Sequence, residues 1–223
     1  MKRMILIVLA LALVFDFTSA MAQRRGGGRG GGGSNWYGSA PSSKAEVYVL
    51  GGYAWTVSQD AFVGNQPGKI DITNAGLWGI AVDINVRPEA QLTLLYRRQE
   101  SDIVFKYSGL TETLSPVALE YYQIGAVSGI QRGNVRPFTS VTLGASRFAF
   151  ENYDDAWKFA VIFGLGAKVY LSEKIALRVQ GNLPISITDG FVGVGTGGLS
   201  LGGTGITQFD LYAGIGILLG SNP

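Results

Sequence analysis

The stretch Leu77-Trp78-Gly79-Ile80-Ala81-Val82-Asp83-Ile84-Asn85-Val86-Arg87-Pro88-Glu89-Ala90-Gln91-Leu92-Thr93-Leu94-Leu95-Tyr96-Arg97 decides the fold. Before Pro88, the residues Trp78, Ile80, Val82, Ile84 and Val86 take every second position, and Leu77, Gly79, Ala81, Asp83 and Asn85 take the others. After it, Leu92, Leu94 and Tyr96 alternate with Gln91, Thr93, Leu95 and Arg97. A period of two with one apolar face marks a β-strand. Arg87 to Ala90 is a short turn between them, because proline fixes φ and has no N–H for a ladder. A hairpin centred on Pro88 opposes Ile80 to Tyr96, Val82 to Leu94 and Ile84 to Leu92 on the apolar face.

The same period recurs along the chain from Ala45 onward, in eight segments of about ten residues or more. The first carries Val47, Val49, Tyr53 and Trp55 on one face. The fourth, around Val117 to Ile130, is noisier and is read with Tyr122, Ile124 and Ala126 on the apolar face. The fifth runs from about Phe138 to Phe150 with Val141, Leu143 and Ala145 together. The sixth sets Phe159, Val161, Phe163, Leu165, Ala167, Val169 and Leu171 against Lys158, Gly164, Gly166, Lys168 and Tyr170. The seventh sets Ile175, Leu177, Val179, Leu183 and Ile185 against Arg178, Gln180 and Asn182. The eighth sets Phe209, Leu211, Ala213, Ile215, Ile217 and Leu219 against Gln208, Asp210, Tyr212, Gly214 and Gly216.

Connection lengths alternate. Short turns fall at Arg87 to Ala90, Gln131 to Arg136 and Ser172 to Lys174. Longer loops fall at Ser58 to Thr73, Gln99 to Ser115, Glu151 to Ala156 and Thr188 to Gly205. Eight up-and-down antiparallel strands follow, with both ends of the strand region on the short-turn side. Ten strands are the alternative, if Ile103 to Tyr107 and the Gly193 to Gly205 loop supply two more.

Composition narrows the function. The 223 residues include 33 glycines and no His or Cys, and only 15% are charged, against roughly 25% in ordinary soluble domains. Zero Cys excludes disulfides, thiolate metal sites and a Cys nucleophile. Zero His removes the commonest general base and metal ligand. A net charge of +2 selects no class of partner.

The N-terminus reads as a targeting segment over residues 1–22. Lys2 and Arg3 precede the apolar run Ile5 to Phe15, and Ala20-Met21-Ala22 offers small residues for cleavage. Eleven residues rise only about 16 Å as a helix, too short for a hydrocarbon core of roughly 30 Å. Residues 23–44 hold Arg24, Arg25 and Arg29 among glycines and read as a flexible linker, not as an RNA-binding element. Residues 45–223 form the strand domain.

An export signal, a polar linker and eight alternating strands together resemble the eight-stranded bacterial outer-membrane β-barrel family, the small OmpA-like and OmpX-like porin-family type. The resemblance covers Ala45 to Pro223 and lies in pattern, not in a motif. It implies an all-β, eight-stranded antiparallel up-and-down transmembrane β-barrel in the bacterial outer membrane, with short periplasmic turns and longer outer loops. It implies lipid and lipopolysaccharide as surroundings, the barrel-assembly machinery as a partner in insertion, and no cofactor.

A soluble exported lipocalin-like barrel has the same period but points its apolar face inward. Here the second face carries Gly, Ala, Ser, Thr and Gln with few charges, which suits a crowded lumen better than a water-facing sheet. The apolar face is therefore read as outward, with Trp55, Trp78, Tyr96, Tyr122 and Phe209 as interfacial aromatics. The hairpin centred on Glu173 then places Lys168 opposite Arg178 inside, a costly pairing of like charges unless anions lie near. The expectation is a lumenal charge network of Glu46, Asp83, Lys168 and Arg178, with Arg97, Lys158 and Asp210 nearer the outer half.

Two further motifs carry no chemistry. Gly193-Val194-Gly195-Thr196-Gly197-Gly198 matches G-x-G-x-x-G, but no helix follows to receive a phosphate. It reads as a mobile loop. Glu151, Asp154 and Asp155 read as a solvated acidic loop in preference to a Ca²⁺ site. The sequence thus points to a barrel with a side-chain-filled lumen, no catalytic or metal site, and a structural, adhesive or partner-binding role through its outer loops toward another envelope or extracellular protein. A narrow gated channel for a small or hydrophobic solute is the competing reading.

Overall fold

The computed structural model describes residues 43–56, 59–63, 66–151, 154–187, 199–201 and 205–220. The strands are β1 (Ala45–Thr56), β2 (Gln59–Val63), β3 (Gln66–Ile72), β4 (Ala75–Arg87), β5 (Ala90–Tyr107), β6 (Leu110–Gly129), β7 (Val135–Phe150), β8 (Ala156–Tyr170), β9 (Ile175–Ile187), β10 (Leu199–Leu201) and β11 (Gly205–Leu219). Eight of them close a ring. β1 pairs with β4 and β11, β5 pairs with β4 and β6, and the ladder runs on through β7, β8 and β9 back to β11. Every pairing is antiparallel. The ladder reaches past β1 to Lys44, whose N–H donates to the Leu219 carbonyl at 2.8 Å. The signal segment and residues 23–42 of the linker lie outside the described residues, as does the Gly193 to Gly198 motif.

Alternation fixes which side chains fill the ring. On β4, Leu77, Ala81 and Asp83 are buried while Trp78, Ile80, Ile84 and Val86 are exposed. On β11, Gln208, Asp210 and Tyr212 are buried, and Phe209, Leu211, Ile215, Ile217 and Leu219 are exposed. The exterior is thus apolar: Leu165 is 69% exposed and Val49 61%. The buried face holds Glu46, Asp83, Lys168 and Arg178. Hairpin register sets the same parity on neighbouring strands, with Val82 opposite Leu94 and Val169 opposite Leu177.

The connections correct part of the sequence reading. Gln99 to Ser115 is not a loop. β5 and β6 continue through it to a tight turn at Ser108 and Gly109, which take φ values of 45° and 81°. The left-handed backbone there suits glycine at the second position. The apolar alternation fades at Arg97-Arg98-Gln99-Glu100, yet a strand extending beyond an apolar belt needs no apolar outer face. Ser58 to Thr73 likewise contains the hairpin β2–β3. β3 lies on the upper part of β5, with Ile72 opposite Ile103, and β10 lies on β2. Ile103 to Tyr107 therefore belongs to β5, and β10 stays outside the ring, which keeps the barrel at eight strands. β7 begins at Val135, so Arg136, read as part of a turn, faces the lumen from a strand.

The interior is filled by complementing large residues with glycine. Gly216 faces Tyr48 across the β1–β11 ladder, and a Cβ there would run into the Tyr48 ring. Overpacking of this kind costs about 1–3 kcal/mol. Gly216→Val should lower the urea midpoint of the folded protein in lipid vesicles by a corresponding amount. Ala213→Val, on the outward face of the same strand, should leave that midpoint within error.

Candidate functional site

The lumen holds three layers of side chains. At the short-turn end, Lys168 from β8 donates to Glu46 Oε2 at 2.5 Å, Asp83 Oδ2 at 2.7 Å and Gln91 Oε1 at 2.7 Å. Arg178 from β9 donates through Nη1 to the same Asp83 oxygen at 2.6 Å, and its Nε and Nη2 grip Gln180 Oε1. Lys168 and Arg178 stand directly opposite each other in the β8–β9 ladder. Asp83 reaches them from β4, which sits four strands from β8 and three from β9 around the ring. Glu46 is held further by the hydroxyls of Tyr48 (2.8 Å) and Tyr170 (3.0 Å) and by Gln91 Nε2 (2.9 Å). The ring of Tyr48 lies 5.1 Å from Lys168 Nζ, and that of Phe138 lies 5.0 Å from the Arg178 guanidinium. These faces add cation–π attraction in a water-poor site.

The middle layer joins Arg97 of β5 to Asp210 of β11 in a buried ion pair. Asn182 Nδ2 donates to the second Asp210 oxygen at 2.6 Å. Arg97 lies over the Tyr121 ring at 4.0 Å, and the Tyr121 hydroxyl donates to Gln208 Oε1 at 3.1 Å. Lys158 faces the same interior from β8 but is not brought to this pair. Its backbone carbonyl accepts from Ser146 Oγ at 3.4 Å, and no ion pair joins it to Asp210 among the described residues. Toward the long-connection end the lumen turns apolar, with Ile72, Ile103, Phe105, Val117, Leu119 and Phe148 all buried in one cluster.

On the outer face, the aromatics form two chains. Trp78, Tyr96, Tyr122 and Trp157 follow one another at ring separations of 5.6, 5.2 and 5.8 Å. Tyr53, Trp55 and Phe209 follow at 5.1 and 5.6 Å. Among them runs a charged row that sequence reasoning missed. Trp78, Arg98, Glu120, Arg147 and Trp157 are successive partners across β4 to β8. Glu120 has the outward parity of Tyr122 and Ile124, yet it is buried. Arg98 and Arg147 each donate to it at 3.0 Å, and the hydroxyls of Tyr122 (3.0 Å) and Tyr96 (3.3 Å) donate as well. Asp155, from the acidic loop, pairs with Arg147 at 2.6 Å. Outward parity at positions 98, 120 and 147 was the available signal. A face defined by its apolar residues alone does not show it. Trp157 stands one residue before the alternation that begins at Lys158.

Asp83 is the shared anion of the basal layer, so its loss leaves Lys168 and Arg178 confronting each other with Glu46 alone. Removing one partner of a buried ion pair costs about 3–5 kcal/mol. Asp83→Leu should therefore destabilise the barrel by that order in urea unfolding from lipid. Asp83→Leu combined with Lys168→Met should cost less than the sum of the two single changes, because the two residues share one interaction.

No protein-family model matches the chain, and no curated protein matches it. Solved structures do. Neisserial surface protein A superposes with a TM-score of 0.54 at 13% identity, over 79% of this chain and 98% of that one. OprG, an outer-membrane protein of Pseudomonas aeruginosa, gives 0.52 at 13% identity, over 78% and 96%. The outer-membrane protein AlkL, determined in lipid bilayers, gives 0.51 at 12% identity, over 88% and 99%. At such identities the likeness is one of fold, and the fold is the eight-stranded antiparallel barrel of small bacterial outer-membrane proteins.

Proposed function

We propose that the chain is an integral outer-membrane barrel with a lumen closed by its own side chains. It stands with its short turns toward the periplasm. It has no catalytic role and acts at its long-connection end, as a structural or adhesive element that meets another envelope or extracellular protein. The observation that carries this reading is the bridge Lys168–Asp83–Arg178, which ties opposite walls of the ring together at its base. An eight-stranded interior is only wide enough for side chains, and here they are ion-paired to one another.

The polarity of the two faces supports the membrane placement. Apolar side chains such as Val49, Leu165 and Ile217 point away from the barrel, whereas the basal and middle layers of the interior are charged. That is the reverse of a soluble carrier of apolar ligands and suits lipid and lipopolysaccharide around the belt. Beyond the belt, β2, β3 and the upper parts of β5 and β6 form a sheet extension at the long-connection end. An ordered projection of this kind offers a partner a prearranged surface.

One observation favours a second reading, a passage for a hydrophobic solute. The apolar cluster of Ile103, Phe105, Leu119 and Phe148 lines the outer half of the lumen. The basal ion network stands between that cluster and the short-turn mouth.

Conductance separates the two. Protein reconstituted in planar bilayers should give no stable current steps at ordinary salt, and reproducible ion-selective steps would overturn the closed-lumen reading. Cell fractionation should leave the protein in the outer membrane after alkaline or urea washing. Release without detergent would defeat the spanning barrel itself.

A further inference from the structure

The basal layer of the lumen is unbalanced in charge. Arg136, Lys168 and Arg178 form one cross-strand row over β7, β8 and β9, since Arg136 faces Lys168 and Lys168 faces Arg178. All three are buried, and the carboxylates in this layer are Glu46 and Asp83. Lys168 and Arg178 take up both of them. Arg136 is left over, a buried cation beside the Tyr170 hydroxyl, which already donates to Glu46.

Its unpaired atoms are informative. Arg136 is 5% exposed, and its Nε and Nη2 have no hydrogen-bond partner among the described residues. These two nitrogens share one edge of the guanidinium, where their N–H bonds point the same way. That edge is the fork that takes two oxygens of a carboxylate or phosphate side-on. A guanidinium lacking one scattered bond would suggest loose packing. One lacking the whole fork, in a layer with a surplus positive charge, is a half-built oxyanion site.

The neighbouring turn fits this. Extending the pairing Gly129↔Phe138 by two residues sets Gln131 opposite Arg136. Gln131 does not complete the fork, because its amide donates to the Gly133 carbonyl at 2.6 Å and its Oε1 is itself unpaired. Gly133 takes a φ of 63°, which fits the tight turn holding Gln131 there.

We propose that Arg136 captures a small oxyanion at the short-turn mouth of the lumen, bidentate through Nε and Nη2. The oxyanion neutralises the surplus charge of the Arg136–Lys168–Arg178 row. The shared chemistry is that of phosphate and carboxylate, and the source is either free phosphate or a carboxylate carried on a larger molecule.

The test uses the full chain in detergent micelles at matched ionic strength, with sodium chloride, inorganic phosphate or acetate. The wild-type protein should show a saturable rise in Tm of about 3 °C or more with phosphate, acetate or both over chloride. Arg136→Lys keeps the charge and loses the fork, and it should abolish that rise while the Tm in chloride stays close to wild type. Half-saturation at lower phosphate than acetate assigns the phosphate-class source, and the reverse order assigns a carboxylate. Line broadening of the ³¹P signal of inorganic phosphate, or of the acetate methyl signal, by the wild-type protein reads binding without any variant. Equal Tm values in all three salts, or a rise that Arg136→Lys retains, would overturn the site and leave Gln131 Oε1 as the group that completes the fork. Absence of broadening for both probes would do the same.

Discussion

Ring closure is the constraint from which the rest of the structure follows. In hydrocarbon no water is present to satisfy a strand edge, so a sheet can cross a membrane only by pairing its last strand with its first. Here the closing ladder is long. β1 and β11 pair from Ala45 opposite Leu219 to Thr56 opposite Gln208, and β1 pairs with β4 on its other side. Closure divides the side chains of the barrel strands into two populations, one facing out and one facing a narrow interior. A single parity then sorts Ile80 from Asp83 and Leu177 from Arg178.

The narrowness of the ring explains the chemistry inside it. Side chains from opposite walls meet, so Asp83 on β4 neutralises Lys168 on β8 and Arg178 on β9. Two cations facing each other across a ladder would repel, yet a carboxylate arriving from the far wall turns the pair into a clamp. Bulk is shared out in the same way. Tyr48 occupies space that Gly216 leaves open. On the outer surface, where no opposite wall exists, a charge must be satisfied by its lateral neighbours. Glu120 achieves this through Arg98, Arg147, Tyr96 and Tyr122, all drawn from its own and adjacent strands.

Legibility in the sequence followed these physical differences. Segments in contact with the apolar belt carry a strict alternation, and the stretch around Trp78 to Tyr96 can be read down to its register because Pro88 fixes the centre of its turn. Beyond the belt nothing requires an apolar outer face. The continuation of β5 and β6 to Tyr107 and Leu110, and the β2–β3 hairpin beside them, therefore lack that outer face, and Ile103 to Tyr107 reads in the sequence only as a possible separate strand. The outward charges Arg98, Glu120 and Arg147 are illegible in the sequence for a related reason. Each looks like a break in a pattern until the cross-strand partners are known.

The sequence alone determined that this is a barrel of alternating strands, which residues share a face, and that His and Cys chemistry is absent. These properties are written in nearest-neighbour spacing, and a period of two needs no knowledge of distant contacts. Only the tertiary structure decided which charges meet. Lys168 finds Glu46 and Asp83, Arg97 finds Asp210, and Lys158 finds no ion-pair partner among the described residues, though all of these residues share the inward parity. It also decided that Arg136 stands in the basal row with its fork unfilled. Such pairings depend on the ring closing at one register, which brings residues 85 to 122 positions apart to the same height on facing walls. That stagger is a property of the whole sheet and belongs to no single segment of the chain.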